Sequence, residues 1–237
     1  MTDLSKIKLF ATHPHACSYL DAEESTTIFV DPAANIDVKL YTQFSEFGFR
    51  RSGEHLYRPK CLNCQACIPI RIPVNSFTPS RSHRRCLKIN NDLQVEDVTS
   101  IDNDECYSLY EKYIALRHSN GDMFPASRKQ YSEFLSTAWG TTHYLQFRKN
   151  GTLVAIAVTD VLENAVSAIY TFFDPEEEKR SLGRYCILQQ LQWAEELGVD
   201  YLYLGYWIKK CQKMSYKIDY RPFQLLINNA WITIRDS

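Results

Sequence analysis

No apolar run in this 237-residue chain approaches the ~18 residues that a membrane-crossing helix needs. The N-terminal stretch MTDLSKIKLFATHPHACSYL also lacks the apolar core, roughly 7–15 residues long, of a secretion signal. Without such a signal, the eight cysteines read as reduced thiols or metal ligands rather than a disulfide framework, and a cytoplasmic setting is expected. The catalytic signatures G-x-S-x-G, H-E-x-x-H, Walker A and G-x-G-x-x-G are missing too. Their absence removes the usual marks of serine hydrolases, zinc proteases, P-loop enzymes and dinucleotide binders. Nothing marks a covalent nucleophile, so an enzyme of this sequence is expected to act by direct transfer between bound substrates.

What is present is an ordinary globular composition, 45% hydrophobic and 23% charged, with an uneven charge distribution. Residues 50–88 carry Arg50, Arg51, Arg58, Lys60, Arg71, Arg81, Arg84, Arg85 and Lys88 against Glu54 alone. A second basic stretch holds Lys209, Lys210, Lys213, Lys217 and Arg221 against Asp219. A charge run is most often a solvated face. Two runs interleaved with Tyr and Trp, in a chain of net charge -1, make a polyanion such as nucleic acid, or an acidic peptide, the implied partner.

The fold class is predicted to be α+β, with a boundary near residue 100. Residues 1–100 are proline-rich, cysteine-rich and basic, without a sustained helical period, and read as an irregular N-terminal domain. Residues 101–237 are far more regular. Cys106, Leu109, Tyr110, Tyr113 and Ile114 follow the i, i+3, i+4, i+7, i+8 spacing of an amphipathic helix. Ser127 with Gln130 three residues later marks a second helix start. Strands are predicted over 142–149 and 152–161, joined by Asn150-Gly151, and over 165–173. A helix over 181–197 closed by Gly198 and a short strand over 201–204 follow. An antiparallel meander, a crossover helix and another strand resemble the core of the GNAT-type acyltransferases. In those enzymes a glycine-rich loop opening the crossover helix cradles the CoA pyrophosphate. Here that loop reads Arg180-Ser181-Leu182-Gly183-Arg184-Tyr185, with a bulky Tyr185 where a small residue belongs and Glu176, Glu177 and Glu178 upstream. An acyl donor other than CoA is expected.

Longer motifs point the same way. The stretch Phe49-Arg50-Arg51-Ser52-Gly53-Glu54-His55-Leu56-Tyr57-Arg58-Pro59 resembles the N-terminal signature of the arginyl/leucyl-tRNA–protein transferases, as do Cys64 to Arg71 and Phe77 to Arg85. The blocks Gly205-Tyr206-Trp207-Ile208, Lys213-Met214-Ser215-Tyr216-Lys217 and Tyr220-Arg221-Pro222 resemble the family's second signature. Together they run from about residue 10 to residue 226. The resemblance implies transfer of an amino acid from aminoacyl-tRNA to a protein N-terminus, which marks the protein for degradation. The compact length is similar to the bacterial branch, in which leucine goes from leucyl-tRNA to N-terminal Asp or Glu. Arginyl transfer by the same chemistry, a non-catalytic RNA-binding or metal-knuckle module, and a CoA-dependent acetyltransferase are the alternatives.

On this basis Asp160 and Tyr206 are the candidate general bases. Arg71, Arg81, His83 and Arg84 are expected to bind the acidic N-terminus, because a guanidinium fork suits a carboxylate. Lys209, Lys213, Lys217 and Arg221 are expected on tRNA phosphates, with Trp207 or Tyr206 stacking on the terminal base. No cofactor is expected to be required. Cys17, Cys61, Cys64 and Cys67 are the candidate ligands of a zinc ion or iron–sulfur cluster, and packing as small apolar side chains is the alternative. The arginyl members carry two cysteine pairs, which here read Cys17-Ser18-Tyr19-Leu20 and Cys64-Gln65, each one thiol short.

Overall fold

The computed structural model describes residues 7–235. Strands β1 (Leu9–Ala11), β2 (His15–Ala16), β3 (Glu24–Ser25) and β4 (Thr27–Val30) lead into helix α1 (Val38–Glu46). The Asp37 carboxylate starts that helix by accepting the Leu40 N–H at 2.7 Å. Strands β5 (Arg50–Ser52) and β6 (His55–Pro59) form a hairpin. Strand β7 (Ile68–Pro73), helix α2 (Arg81–Ile89) and strand β8 (Leu93–Val98) complete the first 100 residues. Two helices therefore lie where the sequence reads as irregular. In α2 the start is a reciprocal cap, Ser80 accepting the His83 N–H while the His83 ring accepts the Ser80 N–H.

The second part matches its sequence pattern closely. Helix α3 (Asp104–Arg117) buries Cys106, Leu109, Tyr110, Tyr113 and Ile114, the expected stripe. Helix α4 (Arg128–Leu135) is capped by Ser127, which accepts the Gln130 N–H. Strands β9 (Thr142–Lys149), β10 (Thr152–Val161) and β11 (Ala165–Phe173) form the antiparallel meander. Helix α5 (Leu182–Glu196) then crosses to β12 (Tyr201–Trp207), which runs parallel to β11. A hairpin of β13 (Phe223–Ile227) and β14 (Ala230–Ile234) follows.

The strands assemble into an eight-stranded sheet ordered β14-β13-β7-β12-β11-β10-β9-β8 and a four-stranded sheet ordered β1-β4-β6-β5. Strand β7 thus lies between β12 and β13, and β8 closes the far edge. The expected boundary near residue 100 does not divide the hydrogen-bonded sheet. Helix α5 packs apolar residues on one face of the large sheet and α3 with α4 on the other. A third cluster joins α1 and the small sheet to Leu162, Ala165 and Tyr203 of the large sheet region.

Candidate active site

The parallel pairing of β11 and β12 runs from Ala165↔Tyr201 to Ser167↔Tyr203 and stops there. Beyond Tyr203 the register of β12 shifts against β7, and Gly205 takes φ +75°, a conformation that side chains with a Cβ seldom adopt. Tyr203 and Tyr206, on either side of this irregularity, are both buried.

Arg50 and Arg51 of β5 meet this region from the small sheet. Adjacent strand residues point to opposite faces, and both are buried here. Arg51 turns to Asp160 near the end of β10. Its Nε donates to Oδ2 at 2.6 Å and its Nη2 to Oδ1 at 3.1 Å. The Tyr41 hydroxyl donates to Oδ2 and that of Thr142 to Oδ1, both at 2.7 Å. Asp160 is 0% exposed and accepts four hydrogen bonds, so it anchors β5 to β10 and is not placed to take a proton from substrate. This corrects its expected role as a base. Tyr206 is corrected likewise: its hydroxyl donates to the Gly48 carbonyl at 2.9 Å, with that of Tyr57 at 3.2 Å. Burial, foremost, holds its pKa well above that of an ordinary phenol.

Arg50 turns the other way. Its guanidinium carbon lies 4.6 Å from the Tyr203 ring centroid and 6.0 Å from that of Tyr206. Nη1 donates to the Phe49 carbonyl at 2.7 Å. Nε and Nη2 are buried and have no hydrogen-bond partner among the described residues. Beside it lies Lys217, in the 3-10 helix Gln212–Asp219. Its ammonium donates to the Tyr206 carbonyl at 2.7 Å and is 3.8 Å from the Met214 sulfur. No ion pair to a carboxylate is formed by Arg50 or Lys217 among the described residues. Burial and then Arg50 lower the Lys217 pKa from 10.5 to about 8. A lysine that is 8% exposed cannot sit on an open phosphate-binding face, so its expected role there is also corrected.

The expected acid pocket is not assembled. Arg71 is sandwiched between the rings of Tyr201, at 3.5 Å, and Trp231, at 4.2 Å. Its Nε donates to Gln224 Oε1 at 2.7 Å and its Nη1 to the Tyr203 hydroxyl at 3.2 Å. It therefore braces the sheet. Arg81 and Arg84 are exposed on α2, where Arg84 donates to the Pro79 carbonyl. His83 is buried and stacks on Tyr220 at 4.9 Å. Burial, then Arg184, lowers its pKa, which favours a neutral ring over an anion-binding one. No described contact joins Arg71 to these three. Lys209 and Lys213 are exposed, Trp207 is half-buried, and Arg221 is half-buried near the Phe223 ring.

Cys17, Cys61, Cys64 and Cys67 are free and half-buried. Burial, then the Cys61, Cys17, Cys64 and Cys211 thiols, pushes Cys67 up to about 12. The half-buried Cys211 thus lies near these N-terminal thiols. Among the described residues no three His, Cys, Asp or Glu side chains are grouped so as to hold a metal ion. As arranged, the four thiols do not form a ready-made zinc or iron–sulfur site.

The loop at the start of α5 is filled by the protein itself. Arg180 binds Asp92 with both Nη atoms, at 2.8 and 2.9 Å, and Glu177 through Nε at 2.9 Å. The Asn90 amide donates to the Arg180 carbonyl at 2.8 Å. A Cβ on Gly183 would come within 3.3 Å of the Phe173 ring, so this glycine serves helix–sheet packing. Tyr185 is buried against Phe147. The Arg180 side chain is therefore engaged by acidic groups of the protein rather than offered to a phosphate.

Residues 15–85 match the family described as "Arginine-tRNA-protein transferase, N terminus", and residues 105–227 match "Arginine-tRNA-protein transferase, C terminus". The chain belongs to the arginine-tRNA-protein transferase family. Among curated relatives, the aspartate/glutamate leucyltransferase of Teredinibacter turnerae is 59% identical over 235 residues, 99% of this chain and 97% of that protein. That of Saccharophagus degradans is 58% identical, covering 98% and 99%, and that of Stutzerimonas stutzeri 54%, covering 99% and 100%. The solved L-PGS of Bacillus licheniformis matches at 11% identity and a TM-score of 0.46, over 69% of this chain and 48% of that one. In this arginine-tRNA-protein transferase family member, Arg50 comes from the N-terminal matched segment and Lys217 from the C-terminal one. The two unpaired buried cations are brought together only by the joining of both segments.

Proposed function

We propose that the protein moves leucine from leucyl-tRNA to the N-terminal aspartate or glutamate of acceptor proteins, marking them for degradation. The observation that carries this reading is the meander–helix–strand of an acyltransferase whose phosphate loop is closed by its own side chains. Such a core needs an acyl donor other than CoA, and the relatives' names state which residue is transferred and to what. The acceptor's α-amine attacks the ester carbonyl carbon. A C–N bond forms, the C–O bond to the terminal ribose breaks, and that ribose oxygen gains the proton the amine gives up. An α-amine has a pKa of about 7.7–8.0, so roughly a tenth of it is already unprotonated at neutrality and little base strength is needed. Most of the acceleration is then orientation of two bound substrates. The exposed Lys209 and Lys213 are assigned to tRNA phosphates, with the half-buried Arg221 and Trp207 as further contacts on the same stretch. Because the donor is a tRNA of translation, we place the reaction in the cytoplasm.

The test is transfer of labelled leucine from leucyl-tRNA into peptides beginning Asp, Glu, Lys or Ala, with arginyl-tRNA as the rival donor. Leucine should enter the Asp and Glu peptides only. Incorporation of arginine instead would assign the arginyl reaction, and no incorporation from either donor would remove the enzyme reading.

A further inference from the structure

We infer that the Nε–Nη2 edge of Arg50, together with the Lys217 ammonium, binds the side-chain carboxylate of the acceptor's N-terminal Asp or Glu. The inference deepens the proposed function and rests on it for the acceptor. Three observations support it. The Nε–Nη2 edge is the side of a guanidinium that grips a carboxylate with two parallel hydrogen bonds, and Arg51 uses that same edge on Asp160. In Arg50 the edge is buried and meets no acceptor among the described residues. A guanidinium and an ammonium sharing one buried region without a carboxylate are unfavourable in the free protein. They are the expected state of a site whose counter-charge arrives with the ligand.

The surroundings favour a carboxylate on a chain end over a tRNA phosphate. The rings of Tyr203 and Tyr206 lie against the Arg50 guanidinium, and Arg50 is buried, so the edge is shielded from an open polymer backbone. Among the described residues the groups around the Lys217 ammonium are the Tyr206 carbonyl, the Met214 sulfur, Arg50, Cys211 and the Tyr216 ring, none of them a carboxylate.

The test compares Asp- and Asn-, and Glu- and Gln-terminated peptides with the wild type, Lys217→Met and Arg50→Gln. The wild type should favour Asp over Asn in kcat/KM by at least about thirtyfold, the scale of a buried charge-assisted contact. Lys217→Met should shrink that ratio about tenfold or more, with the larger loss falling on the Asp peptide. Its melting temperature should not fall, because a desolvated charge is removed. An unchanged Asp:Asn ratio would overturn the assignment. So would weaker tRNA binding with the ratio intact, which would make the pair a phosphate contact. The wild type supplies a measurement that needs neither a variant nor turnover. At pH 8.5, calorimetry in buffers of different ionisation enthalpy should find more proton uptake for the Asp peptide than for the Asn peptide, as the carboxylate recharges Lys217. Equal uptake would refute the site even with folding-defective variants. Absence of leucine transfer alongside unequal uptake would instead refute only the proposed reaction.

Discussion

Arg51 closes its Nε–Nη2 edge on Asp160 at 2.6 and 3.1 Å, while Arg50, one residue earlier, offers the same edge to no acceptor among the described residues. The filled pair holds β5 of the small sheet to β10 of the large one. Arg51→Ala strands a fully buried carboxylate, and the expected loss of stability is about 3–5 kcal/mol. Arg51→Met combined with Asp160→Leu removes both charges and should recover much of that loss. Urea unfolding of the three variants measures it; an equal loss in the single and double variants would show that packing, not the charge pair, governs the joint.

Lys217 should print a signature on stability against pH. Its pKa is lowered in the fold from 10.5 to about 8, so between those values the unfolded chain binds more protons than the folded one. Stability from this group therefore rises as pH goes from about 8 to about 10.5 and is at its lowest below 8. The full difference is on the order of 3 kcal/mol. Lys217→Met should lack this rise while other alkaline transitions stay. Parallel curves for the two proteins would mean that the lysine titrates as if solvated.

Exposed and buried lysines should separate in salt. Phosphate contacts on single-stranded RNA lower the log–log salt slope of binding by about 0.7 each. Lys209→Ala and Lys213→Ala should each flatten the slope measured with leucyl-tRNA, and Lys217→Met should leave it alone. A slope unmoved by the Lys209/Lys213 double variant would make this stretch a solvated face.

Arg71→Ala should damage the fold and spare selectivity. Removing a guanidinium stacked between Tyr201 and Trp231 is expected to lower stability by about 1–3 kcal/mol. Arg71→Lys should recover little, since an ammonium does not stack in the same plane. The Asp:Asn preference of the stable fraction should stay at its wild-type value; its collapse would return Arg71 to the acceptor pocket.

The sequence makes α3 and the β9–β11 meander legible because their apolar residues keep a strict period and Asn150-Gly151 can only turn. Both turn residues indeed take positive φ, 49° and 84°. Strands β13 and β14 are hidden for the opposite reason. Phe223–Ile227 is a short apolar run with little alternation, and its partner β7 lies some 150 residues earlier. Helix α2 is masked by its charge, since Arg81-Ser82-His83-Arg84-Arg85 reads as a basic patch before it reads as a turn of helix. At the site, Asp160 looks like any strand-end aspartate, and its true partner is 109 residues away. Arg50 and Arg51 cannot be told apart in the sequence: both lie in one basic run, and only the pleat decides which meets a carboxylate.

The placement of β7 sets the order in which this chain can be finished. Strand β7 leaves the ribosome about 130 residues before β12 and about 150 before β13, the two neighbours that take its hydrogen bonds. Until both exist, its edges stay open, and pairings of such long sequence separation form slowly. The large sheet is sealed only once β13 has been made, after the segment that carries Lys217.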